Sequence, residues 1–139
     1  MDQDAPSGRY SLRKHRLGRK DFERAYRTGG RARSPLLNVV VVDNGLPFSR
    51  MGLSVGKRVS KLAVERNRVR RLFREAFRLS RPELPAGIDV VMIAVPGALR
   101  PTLLALRSDL VALCARARTR ARASGPASSP PRGPSGRER

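Results

Sequence analysis

Between Glu65 and Arg78 the chain reads ERNRVRRLFREAFR, with arginine at positions 66, 68, 70, 71, 74 and 78. A guanidinium is a permanently charged, planar fork of donors, so the chemistry this cluster offers is recognition of phosphate oxygens and stacking on bases. Asn67, in the middle of the run, both donates and accepts, which suits a ribose 2′-hydroxyl or a base edge. On a helix, Val69, Leu72, Phe73, Ala76 and Phe77 fall at i, i+3, i+4, i+7 and i+8 and form one apolar stripe, the buried face. Asn67, Arg70, Arg71, Arg74 and Arg78 then line the opposite side, with Arg66 and Arg68 flanking them at the helix start. Like charges at i,i+4, such as Arg66 with Arg70 or Arg70 with Arg74, each cost roughly 0.2–0.5 kcal/mol in an isolated helix. Only Glu65 and Glu75 offset them locally, so the face stands to gain from an external anion.

Self-sufficient catalysis has little to work with. A protein nuclease usually needs clustered carboxylates for metal ions or paired histidines for proton transfer. The single histidine, His15, lies in the basic run RKHR, and the carboxylates Asp21, Glu23, Asp43, Glu65, Glu75, Glu83, Asp89 and Asp109 are scattered without metal-ligand spacing. Glu23, Glu65 and Glu75 sit beside arginines and read as helix pairing partners. Cys114, the one cysteine, falls on an apolar helical stripe and reads as a buried, inert thiol. The VGK at 55–57 lacks the rest of a phosphate-loop pattern. The residues describe a binding protein.

Composition agrees. Thirty Lys and Arg against 11 Asp and Glu give a formal charge of +19 over 139 residues, a field that attracts polyanions, nucleic acid first among them. The preference for arginine over lysine fits phosphate recognition and a GC-rich genome equally. The length is that of one domain. With a single cysteine, no apolar N-terminal segment and no run of about 18 apolar residues, the chain is expected in the cytoplasm, away from membranes.

The elements that must position the arginines follow from periodicity. Residues 1–8 read as a disordered lead and 119–139, rich in Pro, Gly, Ser and Arg, as a disordered basic tail, leaving a domain at 9–118. Arg19 to Thr28 reads as a short helix stopped by Gly29 and Gly30. Leu36–Asp43 and Ser49–Val55, separated by the turn signal NGLP, read as two antiparallel strands joined through that turn. The arginine helix spans about 61–80. Ile88–Val95 reads as a strand buried on both faces, and Thr102 caps a last helix carrying Leu103, Leu106, Leu110, Leu113 and Cys114. The order is helix, two or three strands, helix, strand, helix: an α+β sandwich with helices on a small central sheet.

The stretch MGLSVGKRVSKLAVERNRVRRLFREAFR, residues 51–78, closely resembles the signature of the protein subunit of bacterial ribonuclease P: a G-L-S-V strand, a basic loop, then R-N-R-x-x-R-R at Arg66, Asn67, Arg68, Arg70 and Arg71. RLGRKDFERAYRTG upstream and GIDVVMIAVPGA downstream extend the likeness to about 100 residues. The resemblance implies the accessory protein of an RNA-based endonuclease that removes the 5′ leader of precursor tRNA. Catalysis would lie with the RNA subunit and Mg²⁺ held mainly by that RNA, and the protein alone would be inactive. Its partners would be ribonuclease P RNA and precursor tRNA, with no DNA expected. Lys57, Arg58, Lys61, Arg66, Asn67, Arg68, Arg70, Arg71 and Arg74 would bind the catalytic RNA. Phe22 and Tyr26, with Leu37 and Val39, or Val40, of the first long strand, would line a cleft for the single-stranded leader. The resemblance also implies a fold shared with a ribosomal-protein domain, containing a left-handed βαβ crossover.

The chain departs from the family's pattern in two places. LLNVVVV has no aromatic where relatives often place one, and Val95 stands where many carry a basic residue, with Arg100 as a substitute. The competing readings are a general basic RNA-binding or ribosome-associated protein and, further off, a DNA-binding protein using the charged helix.

Overall fold

The structure, a computed structural model, describes residues 15–96 and 101–124. Helix α1 (Arg19–Thr28) starts after Gly18, whose N–H donates to the Asp21 carboxylate at 3.0 Å, and stops at Gly29, whose N–H reaches the Ala25 carbonyl at 2.7 Å. Strands β1 (Gly30–Arg33), β2 (Leu37–Asp43), β3 (Arg50–Ser54) and β4 (Ile88–Ala94) form one sheet in the order β1-β2-β4-β3. β2 runs antiparallel to β1 and β4, whereas β3 is parallel to β4 and connects to it through α2 (Ala63–Ser80). Helix α3 (Leu103–Ser124) is capped as expected, with the Thr102 hydroxyl accepting from the Ala105 N–H at 3.1 Å.

Period-two alternation divides each strand between two layers. Leu37, Val39 and Val41 of β2 and Ile88, Val90 and Met92 of β4 pack with Val69, Phe73 and Phe77 of α2 and Leu106, Leu110 and Leu113 of α3 in the main core. The opposite face carries a smaller cluster of Leu17, Ala25, Val40 and Val91, with α1 laid across it. Gly30 makes the first layer possible: the α3 backbone at Ala117 and Ala121 occupies the place of a Cβ there, so a larger residue would push α3 off β1. Cys114 is fully buried, and burial pushes its thiol up to about 12, as an inert core residue requires. His15 is buried edge-on to Phe48, ring centroids 5.4 Å apart.

Three expectations need correction. The strands at 37–43 and 50–54 run in opposite directions but are not neighbours, because β4 lies between them. All but one of the residues of β4 are buried, so the centre of the sheet is its favourable place, and the NGLP turn serves a crossing rather than a hairpin. Three strands precede α2, within the two or three expected, but the first of them, β1, starts at Gly30, which had read only as a helix stop. Finally, α3 runs through Ser124 into the expected tail, because Arg118 and Arg122 pair with Asp43 at 3.3 and 3.0 Å and hold the extra turn against the sheet. The lead at 1–8, Arg100 and the chain after 124 lie outside the described residues.

Candidate nucleic-acid interface

At the entry to α2 the arginines divide into two sets. Arg66 donates to the Ser60 and Lys61 carbonyls at 2.9 and 3.0 Å, tying down the loop before the helix. Arg70 donates to the Val55 carbonyl at 3.1 Å and to the Asn67 side-chain oxygen at 2.7 Å, fixing the helix to the end of β3. Arg68 lies 3.6 Å from Glu65, and Arg78 pairs with Glu75, the local pairing expected of those two glutamates. By contrast Lys57, Arg58, Lys61, Arg71 and Arg74 have no carboxylate partner among the described residues, and all but the half-buried Arg74 are exposed. The predicted face is therefore assembled in one place, with two of its arginines holding the others' scaffold. Beside it, Leu62 and Val64 expose 58% and 69% of their surface, giving the cationic patch an apolar fringe.

The second feature is the face of the sheet on which α1 lies. Phe22 and Tyr26, one helical turn apart, are stacked with centroids 6.4 Å apart and an interplanar angle of 26°, both half-buried. Phe22 sits on Gly52, in the space where any side chain on β3 would stand. Arg31 lies over the Tyr26 ring at 5.7 Å and donates to the Tyr26 carbonyl at 3.3 Å; burial lowers its pKa, with Tyr26 acting in the opposite sense. Beyond the helix, the row of paired positions Arg33, Asn38, Ile93 and Ser54 crosses the sheet, its members half-buried apart from exposed Arg33.

Leu37 and Val39, expected to line the leader cleft, are not on this face. Both are fully buried on the opposite face, against α2 and α3. The residues of β2 that face α1 are Asn38, Val40 and Val42, one step out of phase with the expected pair. Strand alternation was visible in the sequence, but in a run of four valines it gives no sign of which parity faces which layer. Val40 is on the correct side, although buried.

α1 is fixed over the sheet by one buried carboxylate. Asp89, fully buried on β4, accepts from Arg50 Nε and Nη2 at 2.9 and 2.8 Å, from Arg24 at 3.1 Å and from the Asn44 amide at 2.8 Å. Arg50 reaches Asp21 of α1 as well, at 3.1 Å, and its pKa is raised chiefly by the hydrogen bond to Asp89. This residue was missed in a strand otherwise apolar. A lone charge inside IDVVMIA was the available signal, because such a charge must find partners when buried.

Comparison with known proteins places this architecture in a family. The family model described as Ribonuclease P matches residues 12–118. The chain belongs to the ribonuclease P protein family. It is similar to the ribonuclease P protein component of Pseudanabaena sp., 36% identical over 101 residues that cover 72% of this chain and 87% of that protein. It is also similar to that of Syntrophobacter fumaroxidans, 40% identical over 94 residues covering 67% and 78%. Among solved structures, the RNase P protein from Thermotoga maritima is 29% identical with a TM-score of 0.66, covering 73% of this chain and 96% of that one. The Staphylococcus aureus RNase P protein is 27% identical with a TM-score of 0.64, covering 76% and 97%. The family's α+β fold is thus the fold seen here.

Proposed function

We propose that this ribonuclease P protein is the accessory subunit of an RNA-based endonuclease, binding the catalytic RNA through the entry to α2 and the 5′ leader of precursor tRNA in the cleft under α1. The observation that carries this reading is the set Lys57, Arg58, Lys61, Arg71 and Arg74, held in one place without carboxylate partners. Phosphates meeting that face replace like-charge repulsion with charge-assisted hydrogen bonds and release counterions. Asn67 and the apolar fringe at Leu62 and Val64 add contacts to ribose and base edges. In the cleft, Phe22 and Tyr26 stack on unpaired bases, worth about 1–3 kcal/mol for each base so held.

Hydrolysis and Mg²⁺ belong to the RNA in this reading. Among the described residues no three His, Cys, Asp or Glu side chains gather to hold a metal ion. No described helix is long and apolar enough to cross a membrane, and the cytoplasm is the proposed place of action.

The test is 5′ cleavage of a precursor tRNA by the host's ribonuclease P RNA at low Mg²⁺, with and without this protein and with the protein alone. Cleavage restored only by the combination is expected. Tight RNA binding with no gain in cleavage would favour a general RNA-binding role, and cleavage by the protein alone would overturn the division of labour.

A further inference from the structure

A second set of arginines stands at the β1 edge of the sheet, the edge opposite β3. β1 is an edge strand, and its outward carbonyls are met by α3: Arg120 donates to the Arg31 carbonyl at 2.6 Å and Arg116 to the Arg33 carbonyl at 3.3 Å. Both guanidiniums are exposed, as is Arg33 itself, and none of the three has a carboxylate partner among the described residues. Anchoring one N–H of each α3 arginine on the strand edge orders the remaining donors and blocks edge-to-edge pairing. Arg120 also lies in the part of α3 beyond the family match, which ends at 118.

The arrangement gives these arginines a direction. The row Ser54, Ile93, Asn38, Arg33 crosses the sheet from β3 to β1, beyond the end of the stretch that α1 covers. At its β3 end, the chain turns into the basic loop and α2, where Arg70 holds the Val55 carbonyl. At its β1 end it meets Arg33 and Arg116. Four strands at about 4.8 Å spacing put the two ends about 14 Å apart. At about 3.4 Å per stacked residue, that is about four nucleotides of single strand. A strand lying along this row is therefore handed from one cationic edge to the other.

We propose that Arg33, Arg116 and Arg120 form a phosphate clamp for the distal part of the precursor-tRNA leader, engaging nucleotides that emerge from the cleft at the β1 edge. The clamp rests on the leader-binding reading above and adds a length dependence to it. Leaders that end within the cleft leave these arginines unused, and longer ones gain salt-sensitive, sequence-independent contacts.

The test compares holoenzyme reconstituted with wild-type protein and with the Arg116→Gln/Arg120→Gln double variant, whose amides keep a donor for the β1 carbonyls while losing both charges. Affinity is measured for two precursors, one with a leader of about three nucleotides and one of about ten, over a range of salt. The expected result is that the wild type favours the long leader and the variant loses that preference by about three- to tenfold. The salt slope for the long leader should fall by about 1.4, two single-strand phosphate contacts. Arg33→Glu should erase the preference too, without touching the α3 contacts. A variant that folds with the wild-type Tm and keeps the full long-leader preference would overturn the clamp. So would equal losses on both leaders, or a loss of affinity for ribonuclease P RNA instead. Failure of the wild-type protein to improve binding or cleavage of either precursor would remove the leader-binding reading itself, a result distinguishable from all of these.

Discussion

Asp89 shows how one residue sets the position of a whole helix, α1. Its carboxylate is fully buried, and three groups from α1, β3 and the loop after β2 converge on it. Asp89→Ala would leave Arg24 without its carboxylate and Arg50 with Asp21 alone, and breaking a buried pair from one side typically costs about 3–5 kcal/mol. Because Arg24 retains access to water, the loss is expected toward the lower end, read as a shift in the urea midpoint; an unchanged midpoint would mean that both arginines reach solvent. Asp43 behaves differently. Burial acts to raise its pKa, but hydrogen bonds from Arg122 and Arg118 outweigh that and hold it below the ordinary carboxylate value. A depressed folded-state value means stability that is present above the unfolded pKa and lost as pH falls through the folded one. The end of α3 should therefore loosen below about pH 4, seen as faster amide exchange at 118–124, with a small amplitude because the pair is surface-exposed. Exchange insensitive to pH there would show that packing alone holds the helix end.

α2 is the element on which stability and binding separate by face. Phe73→Ala removes a fully buried ring between α2 and the sheet and should cost about 3–5 kcal/mol, read in thermal unfolding. An unchanged Tm would reverse the assignment of faces. Arg68→Ala with Arg71→Ala gives up the long, partly exposed Arg68–Glu65 pair, so Tm should stay within a few degrees while affinity for ribonuclease P RNA drops and its salt dependence flattens. Unfolding of that double variant would make these arginines structural. Arg66 and Arg70 are poorer probes, because their hydrogen bonds to loop carbonyls mix the two effects. This division of labour was not legible in the sequence. The 3.6-residue period showed which side faces outward, whereas the carbonyls of residues 55, 60 and 61 reach their arginines only once the chain has turned.

At the scale of the molecule, a formal charge of +19 on 139 residues implies substantial self-repulsion. Raising NaCl from about 10 mM to about 200 mM shortens the screening length from roughly 30 Å to under 10 Å. The Tm should rise over that range, since repulsion among many cations outweighs the few exposed ion pairs. A falling Tm would show that pairs such as those at Asp43 and Glu75 dominate. Both free edges of the sheet are also covered: the α3 arginines meet β1, and the segment 15–17 meets β3 through hydrogen bonds between Met51 and both His15 and Leu17. A basic protein that must remain soluble without its RNA benefits from having neither edge open.

The sequence by itself determined the elements and their outward chemistry. The apolar stripe of α2, the buried strand at Ile88–Ala94, the cap at Thr102 and the R-N-R signature all depend on neighbours within a few residues, and periodicity or capping reports them directly. Tertiary structure alone decided which strands are neighbours, so that β4 came between β2 and β3. It also placed Asn38 and Val42 rather than Leu37 and Val39 toward α1, recruited Asp89 to gather side chains from distant elements, and brought the α3 arginines onto the carbonyls of β1. The physical reason is that burying β4 on both faces, and choosing which parity of a four-valine strand faces the larger core, depend on surfaces brought together from positions far apart in the chain.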